Sequence, residues 1–215
     1  MDRVDAHLPA VPLASLQPAA LRQRFAALPE WQPELLVEKK FMDRASMQAS
    51  VLIPIVMHEQ PTVLLTQRTL NLSTHSGQIA FPGGKVDAGD ADAAATALRE
   101  AQEEVGLDPA WVHVLGQMPH YITGSSFIIT PVVALVRPGF TLIPNAHEVA
   151  DIFEVPLAFL MDPANHQHHT LEWQGAQREW FSMPYQETRQ GRVTQRFIWG
   201  ATAGMLRNFY RLLSA

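Results

Sequence analysis

The chain has 215 residues, 47% of them hydrophobic and 17% charged, with a formal net charge of -5. This composition excludes a largely disordered chain and argues against a general nucleic-acid binder, which needs basic residues to meet phosphates. Because cysteine is absent, any metal must be held by oxygen or imidazole. No apolar run is long enough to span a membrane, and Asp2 and Asp5 stand where a signal peptide would carry positive charge. We therefore expect a cytoplasmic protein without a membrane or nucleic-acid partner.

The first half of the chain begins with an Ala-, Gln- and Pro-rich segment, in which Pro18 to Leu28 is patterned as a helix. We predict an N-terminal helical extension over residues 1–47 and one core domain over residues 48–215. The runs Val51 to Met57 and Thr62 to Arg68 are rich in β-formers and are separated by a turn, which predicts a hairpin.

The remaining elements alternate between strand and helix patterns. Gln78 to Phe81 is a short strand candidate, and the residues from about Ala91 to Val105 predict a helix that Gly106 ends. Further predictions are strands over 111–117 and 126–136, a short helix over 155–161, a hairpin over 170–173 and 179–183, and a final helix over 196–213. This order predicts an α/β or α+β fold with a mixed sheet between helices.

The predicted helix over 91–105 carries three acids on one stripe. At about 100° per residue, Glu100, Glu103 and Glu104 fall within about 100° of one another, apart from an apolar side that includes Ala101 and Val105. Like charges at this spacing repel, and a divalent cation would turn the repulsion into binding. A solvated acidic helix face is the alternative interpretation of the same pattern.

A pair of glycines, Gly83 and Gly84, precedes that helix within the sequence Phe-Pro-Gly-Gly-Lys. Glycine lets backbone groups approach a metal or a phosphate closely, although a tight turn would also explain the pair. The loop lacks the spacing of an ATPase phosphate-binding loop.

Together these residues resemble the Nudix box, GX5EX7REUXEEXGU, in which U is a bulky aliphatic residue. Gly84 is followed by Asp90 and then by Arg99-Glu100-Ala101-Gln102-Glu103-Glu104-Val105-Gly106-Leu107. Asp90 replaces the first Glu of the general box, and the gap to Arg99 is one residue longer. Both departures resemble the coenzyme A pyrophosphatase branch of the Nudix hydrolases.

A second signature of that branch, of the type LLTxRxxxLRxHxGQxxFPGG, is matched upstream. The matching positions are Leu64-Leu65-Thr66-Gln67-Arg68, Leu72, His75, Gly77-Gln78 and Phe81-Pro82-Gly83-Gly84. Ser73 stands where the signature carries Arg, which would weaken contact with a substrate phosphate. The resemblance extends from about Ser50 to Leu213 and implies the Nudix fold, a mixed β-sheet in an α/β/α sandwich.

The resemblance implies a hydrolase that splits a phosphoanhydride with Mg²⁺ or Mn²⁺. Glu100, Glu103 and Glu104 are the implied metal ligands, with the Gly84 carbonyl as a further one. Arg99 is expected to hold a box carboxylate in place.

The general base stays open in the sequence. Glu103 and Glu148 are the candidates, and a metal-bound hydroxide is the alternative. Arg68, His75, Gln78 and Lys85 are candidates for contacting the substrate phosphates, although a surface role would explain Arg68 equally well, as loop ordering would explain His75.

The expected substrate is a small-molecule nucleotide, coenzyme A or an acylated form of it. Ser73 keeps a second substrate class open, namely ADP-ribose, a dinucleotide or a nucleoside triphosphate. A noncatalytic nucleotide-sensing module is the third alternative, and the presence of all three box glutamates argues against it.

Two further features are interpreted without a catalytic role. The histidines at 166, 168 and 169 lack partnering acids at a metal-site spacing and are interpreted as a solvated loop. The stripe of Trp199, Met205, Phe209 and Leu212 is interpreted as core or dimer surface, and the apolar termini are compatible with a homodimer.

Overall fold

The computed structural model describes residues 3–34, 45–72, 74–173 and 176–215. Within these ranges the α-helices are α1 (Pro18–Ala26), α2 (Ala93–Val105), α3 (Leu157–Leu160) and α4 (Ala201–Ser214). The strands are β1 (Arg3–Val4), β2 (Met47–Val56), β3 (Thr62–Arg68), β4 (Ile79–Ala80), β5 (Gly83–Lys85), β6 (Val112–Gln117), β7 (Tyr121–Ile122), β8 (Phe127–Val136), β9 (Val149–Pro156), β10 (Gln167–Trp173), β11 (Ala176–Arg189) and β12 (Arg192–Trp199). None of these helices combines the length and the apolarity that crossing a membrane requires.

The strands form two sheets, of which the larger is mixed as predicted. Its main strand order is β4-β3-β2-β8-β6. In addition, β5 pairs with β2, β7 pairs with β8 and β9 pairs with β3. β2 and β8 run parallel over their full length, whereas the other pairs are antiparallel. The smaller sheet has the order β1-β10-β11-β12 and is antiparallel throughout.

Side-chain alternation along β2 separates two apolar layers. Ile53 and Ile55 pack into the layer that contains α4, whereas Leu52 and Val56 pack into the layer that contains α2. Neighbouring strand residues point to opposite faces, so each face of the large sheet is covered by helices. The α+β class and the helix-covered mixed sheet predicted from the sequence are therefore confirmed.

The N-terminal residues contribute to the layer around α4. Leu16 and Leu21 are fully buried there, and the Tyr210 hydroxyl of α4 donates to the Pro9 carbonyl at 2.9 Å. The predicted N-terminal helix is confirmed as α1. Apolar burial of this kind is the main stabilising contribution that a short helix makes to a fold.

Helix α2 ends at Val105, before Gly106, as predicted, and it begins two residues later than predicted. The Asp92 carboxylate caps its N-terminus by accepting from the Ala95 N–H at 2.8 Å. Gly106 follows the last turn with φ of 70°, a left-handed conformation that glycine adopts without a steric penalty. These two signals fix the helix that carries the box acids.

The predicted final helix was wrong at its start. Residues 192–199 form strand β12, and the helix begins only at Ala201, after Gly200 with φ of 63°. Val193, Phe197 and Ile198 are β-branched or aromatic, and their spacing fits a strand as well as a helix. Pairing with β11 makes this segment a strand. Of the predicted stripe, Met205, Phe209 and Leu212 are buried core in α4, whereas Trp199 ends β12 and is 40% exposed.

The interpretation of the three histidines as a solvated loop was also wrong, since His168 and His169 lie in β10 and His166 is fully buried. The His166 Nε2 lies 2.8 Å from the Leu160 carbonyl, and its Nδ1 lies 3.2 Å from an Arg207 nitrogen. Since a carbonyl only accepts and a guanidinium only donates, this pairing requires neutral imidazole with the proton on Nε2.

His166 makes the stability of the protein depend on pH. Burial lowers its pKa from 6.5 to about 4; Arg207 lowers the pKa as well, while the Leu160 hydrogen bond and the Asp5 and Asp162 carboxylates raise it. Between these pKa values the unfolded chain binds the proton and the native protein does not, so stability falls as pH falls through this window.

The expected loss is about 3 kcal/mol of unfolding free energy between pH 6.5 and pH 4. Urea unfolding of the wild type and of His166→Gln, which can keep both hydrogen bonds, isolates this contribution from that of other groups. If the difference between the two proteins stays constant across the window, His166 is not the group responsible.

Candidate active site

The diglycine segment and α2 meet at one end of the large sheet. Gly83 and Gly84 lie in β5, which pairs with β2, so that Gly84 stands opposite Ser50. The Gly84 Cα faces the carboxylate of Glu100, and a Cβ atom added to Gly84 would lie 2.4 Å from the Glu100 Cδ. The close approach is therefore possible only with glycine, and it places a backbone segment directly against the first box glutamate.

Arg99 is the central cation of this site. Its guanidinium donates to the Asp90 carboxylate at 3.0 and 2.9 Å and to the Lys85 carbonyl at 3.0 Å. It also donates to Glu100 at 2.9 Å and Glu103 at 3.2 Å. Arg99 thus fixes the turn before α2 and holds two box acids, and the paired guanidinium keeps the pKa of Asp90 well below its usual range.

Glu104 has different partners from the other two box acids, and the sequence did not predict its burial. Its side chain is 5% exposed, with one oxygen 3.6 Å from Arg68 and the other accepting from the Gly83 N–H at 3.1 Å. The pKa of Glu104 is raised to about 7, mainly by burial. The Gly83 hydrogen bond and Arg68 oppose this rise, and the carboxylates of Glu148 and Glu100 contribute to it. A buried acid among other acids favours either a proton or a cation.

The pKa of Glu100 is also raised, but less than that of Glu104. Burial raises its pKa, and the neighbouring Glu103 and Glu148 add to the effect, although Arg99 opposes it. Glu103 is the most exposed box acid, with 59% of its side chain accessible. The side chains of the predicted acidic stripe therefore range from the buried Glu104 to the exposed Glu103.

Glu148 reaches this cluster from a distant part of the sequence. The segment before β9 is attached to the end of α2, because the Ile143 and Asn145 N–H groups donate to the Val105 and Glu104 carbonyls at 2.9 and 2.8 Å. Glu148 follows in this segment, and its backbone carbonyl accepts from Thr69 at 2.9 Å. The attachment brings a fourth carboxylate to the three acids of α2.

The four predicted phosphate contacts lie on the segments leading into the site. Arg68 ends β3, and its buried Nε has no hydrogen-bond partner among the described residues. His75 is exposed, with φ of 57°, and its Nδ1 lies 2.9 Å from the Gln78 side-chain oxygen. Lys85 is exposed at the end of β5, and Ser73 lies outside the described residues.

The described acids and histidines do not form a group of three or more that could hold a metal ion as the side chains stand. The reason lies in the pairing, since Arg99 engages Glu100 and Glu103 while Glu104 faces Gly83 and Arg68. The available ligands are nevertheless all oxygens, the donor type that Mg²⁺ and Mn²⁺ prefer. The raised pKa values of Glu100 and Glu104 fit a site that accepts positive charge.

A second ionic cluster, which was not predicted from the sequence, lies beside the first. Arg196 of β12, only 5% exposed, pairs with Asp151 of β9 and Glu187 of β11 and donates to the Gln67 side chain at 2.7 Å. Gln67 immediately precedes Arg68 in β3. Arg196 therefore ties the small sheet to β3, which ends at Arg68, and to β9, which begins directly after Glu148.

Substitution of the two glycines of β5 is expected to have different effects, on stability at Gly83 and on turnover at Gly84. A Cβ on Gly83 would lie 2.5 Å from the Ser50 carbonyl oxygen, whereas a Cβ on Gly84 would meet only the end of the Glu100 side chain. We expect Gly83→Ala to lower the unfolding free energy by about 1–3 kcal/mol, because backbone must move. Gly84→Ala should spare stability and lower kcat at least about ten-fold by displacing Glu100.

Thermal unfolding and turnover of both variants check this expectation. Gly89→Ala is the matched control, because a Cβ there would meet nothing within 4 Å. Normal turnover in Gly84→Ala would show that the contact between Gly84 and Glu100 is not needed for activity.

Comparison with known proteins places this arrangement in a family. The family model described as NUDIX domain matches residues 47–184. The uncharacterized Nudix hydrolase NudL of Escherichia coli strain K12 is 42% identical over 161 residues, which are 74% of this chain and 79% of that protein. The protein of the same name from Photorhabdus laumondii is 38% identical over 176 residues, 82% of this chain and 90% of that one.

Solved structures were also matched. A Nudix hydrolase from M. smegmatis, RenU, has a TM-score of 0.45 at 24% identity and covers 53% of this chain and 73% of its own. The NUDIX domain of Shewanella oneidensis NrtR, solved with ADP ribose, has a TM-score of 0.42 at 22% identity, with coverages of 54% and 75%. On the family model and the sequence relatives, this chain belongs to the Nudix hydrolase family.

Proposed function

We propose that this Nudix hydrolase cleaves the phosphoanhydride of coenzyme A or acyl-coenzyme A. The products would be 4′-phosphopantetheine, or its acylated form, and adenosine 3′,5′-bisphosphate. The proposal of hydrolysis is supported by the gathering of Glu100, Glu104 and Glu148 beside the diglycine segment. The raised pKa values of Glu100 and Glu104 favour added positive charge at this place. The substrate part rests on the upstream signature that ends in this same segment.

A divalent ion, Mg²⁺ or Mn²⁺, fits the oxygen donors of Glu100, Glu103, Glu104 and the Gly84 carbonyl. When bound, such an ion would neutralise charge on the pyrophosphate and make a coordinated water more acidic. Arg99 would keep Glu100 and Glu103 on one side of α2 through the contacts described above.

The chemical step is the attack of water on one phosphorus. A new P–O bond forms, the bridging P–O bond breaks, and the water proton passes to a carboxylate. Glu103, the most exposed box acid, and Glu148, which comes from another segment, are the two candidate bases. Arg68, His75, Gln78 and Lys85 would meet the phosphate oxygens, where charge accumulates as the leaving group departs.

A second substrate class is favoured by one observation, the serine at position 73. The coenzyme A signature carries a cation there, so its loss favours another nucleotide substrate, such as ADP-ribose, a dinucleotide or a nucleoside triphosphate. The chemistry at the box acids would be the same for each of them. A noncatalytic nucleotide-sensing role is disfavoured because all three box glutamates are present.

Product analysis distinguishes these proposals. The purified chain is incubated with Mg²⁺ and, separately, with coenzyme A, ADP-ribose, a dinucleotide and dATP, and the fragments are identified by mass spectrometry. Release of adenosine 3′,5′-bisphosphate from coenzyme A, with the highest kcat/KM of the series, is the expected result. Preferred turnover of another substrate would support the second class, and no turnover of any would favour a binding module.

A further inference from the structure

A cleft of about 560 Å³ lies between β9, β11 and the segment that precedes β9. Its apolar lining includes Leu142, Pro144 and Ala150, and its opposite wall includes Tyr185 and Thr188 of β11. The volume falls within the range of small-molecule sites, and the mixture of apolar surface with a few hydroxyl groups is typical of them.

The cleft adjoins the candidate active site along the chain. Ala150 of its lining follows Glu148 by two residues, and Pro144 precedes Asn145, whose side-chain nitrogen lies 3.5 Å from a Glu148 oxygen. Within the described residues, β9 pairs with β3 alone, so its other edge is free to face β11. A substrate with its pyrophosphate at the box acids would therefore have one of its ends near this opening.

The charged groups that line the cleft are already paired with one another. Arg189 contacts Asp151 at 3.4 Å and Glu187 at 2.8 Å, and Arg196 below them pairs with the same two carboxylates. Arg189 also donates to the Ile152 carbonyl at 3.1 Å. Among the residues that the structure describes, the cleft therefore offers no cation that is free to meet a phosphate.

The remaining acid of the lining is paired as well. Glu154 accepts from the Thr62 hydroxyl and lies 2.9 Å from the His58 ring nitrogen. By contrast, Arg68 at the box acids has a buried Nε without a partner among the described residues. This difference favours the anionic end of a substrate at Arg68 and an uncharged end in the cleft.

We propose that the cleft binds the uncharged, hydrogen-bonding arm of the substrate that extends from the pyrophosphate. The proposal rests on the proposed function, and for coenzyme A the arm is the amide-bearing pantetheine chain. Its methylene and amide groups match the apolar wall and the Tyr185 and Thr188 hydroxyls, respectively. Holding this arm would orient the phosphoanhydride without adding charge to it.

The test compares two substrates that share every charged group. One is coenzyme A, and the other is an analogue in which a methyl group replaces the pantetheine chain on the same pyrophosphate. The full chain is assayed as wild type and as Ala150→Trp or Thr188→Trp, exposed residues on opposite walls of the cleft. Ala164→Trp, another exposed alanine but outside the cleft, is the matched control.

We expect either cleft variant to raise KM for coenzyme A at least about ten-fold, which corresponds to about 1.4 kcal/mol of lost binding. KM for the methyl analogue should change less than about two-fold, and Ala164→Trp should change neither. Circular dichroism and thermal unfolding verify that each variant is folded, and using two walls guards against the failure of one variant.

Two outcomes would overturn the inference, and they are distinguishable. If the wild type hydrolyses coenzyme A and both cleft variants have the same KM for coenzyme A as the wild type, the arm binds elsewhere. The proposed function then stands. If the wild type does not hydrolyse coenzyme A at all, the proposed function fails, and the assignment of the cleft to this arm fails with it.

Discussion

Replacing Glu103 with Gln is expected to lower kcat about 10³-fold, the effect of losing one electrostatic group at a reacting centre. The variant keeps the shape of the side chain but removes a charge from the proposed cation site and one of the two candidate bases. Glu103 is 59% exposed, and its described partner is Arg99 at the i,i+4 spacing. An exposed pair of this kind contributes less than about 1 kcal/mol, so the unfolding free energy should hardly change.

Steady-state kinetics and urea unfolding of the same preparations check both parts of this prediction. Glu172→Gln removes an equally charged and exposed side chain from β10 and should leave kcat unchanged. Near-normal turnover in Glu103→Gln, with the same dependence on Mg²⁺, would remove Glu103 from the catalytic assignment. Glu148→Gln would then be the next candidate base to test.

Replacing Arg196 with Met is expected to lower the unfolding free energy by about 3 kcal/mol or more. The change leaves Glu187, which is 10% exposed, and Asp151 without their buried partner. Removing one member of a buried ion pair is strongly destabilising because the remaining charge stays uncompensated. The guanidinium also lies 4.2 Å from the centre of the Phe153 ring, a contact that Met can only partly replace.

Arg189 provides the matched control, because it contacts the same two acids but is 53% exposed. Arg189→Met should therefore lower the unfolding free energy by less than about 1 kcal/mol. Adding Asp151→Asn and Glu187→Gln to Arg196→Met should restore part of the lost stability. Equal losses for the two arginine variants in urea unfolding would show that burial does not set the importance of Arg196.

The local parts of the site could be predicted from the sequence. The terminal Gly106 and the spacing of Glu100, Glu103 and Glu104 are signals within one helix, and the structure reproduces that helix to within two residues. The position of the diglycine segment against Glu100 follows from the same motif. Neighbours in sequence fix such geometry because helix periodicity is a local property.

The long-range parts could not be predicted in this way. Burial of Glu104 depends on Arg68 and Gly83, which reach α2 from other elements. Glu148 was expected at the site only through the resemblance, and the hydrogen bond from the Asn145 N–H to the Glu104 carbonyl, which attaches its segment to the end of α2, could not be predicted. The Arg196 cluster joins four strands, and β12 itself was mistaken for helix because its apolar residues fit both periods.

Manganese binding tests the central claim most directly, since Mn²⁺ can be followed by electron paramagnetic resonance without any turnover. The claim is that the acids of α2 hold a divalent ion, and the double variant Glu100→Gln with Glu103→Gln removes two of its proposed ligands. We predict that the wild type binds Mn²⁺, that Mg²⁺ competes for the site, and that the double variant binds at least about ten-fold more weakly. Unchanged Mn²⁺ affinity in the double variant would contradict the account.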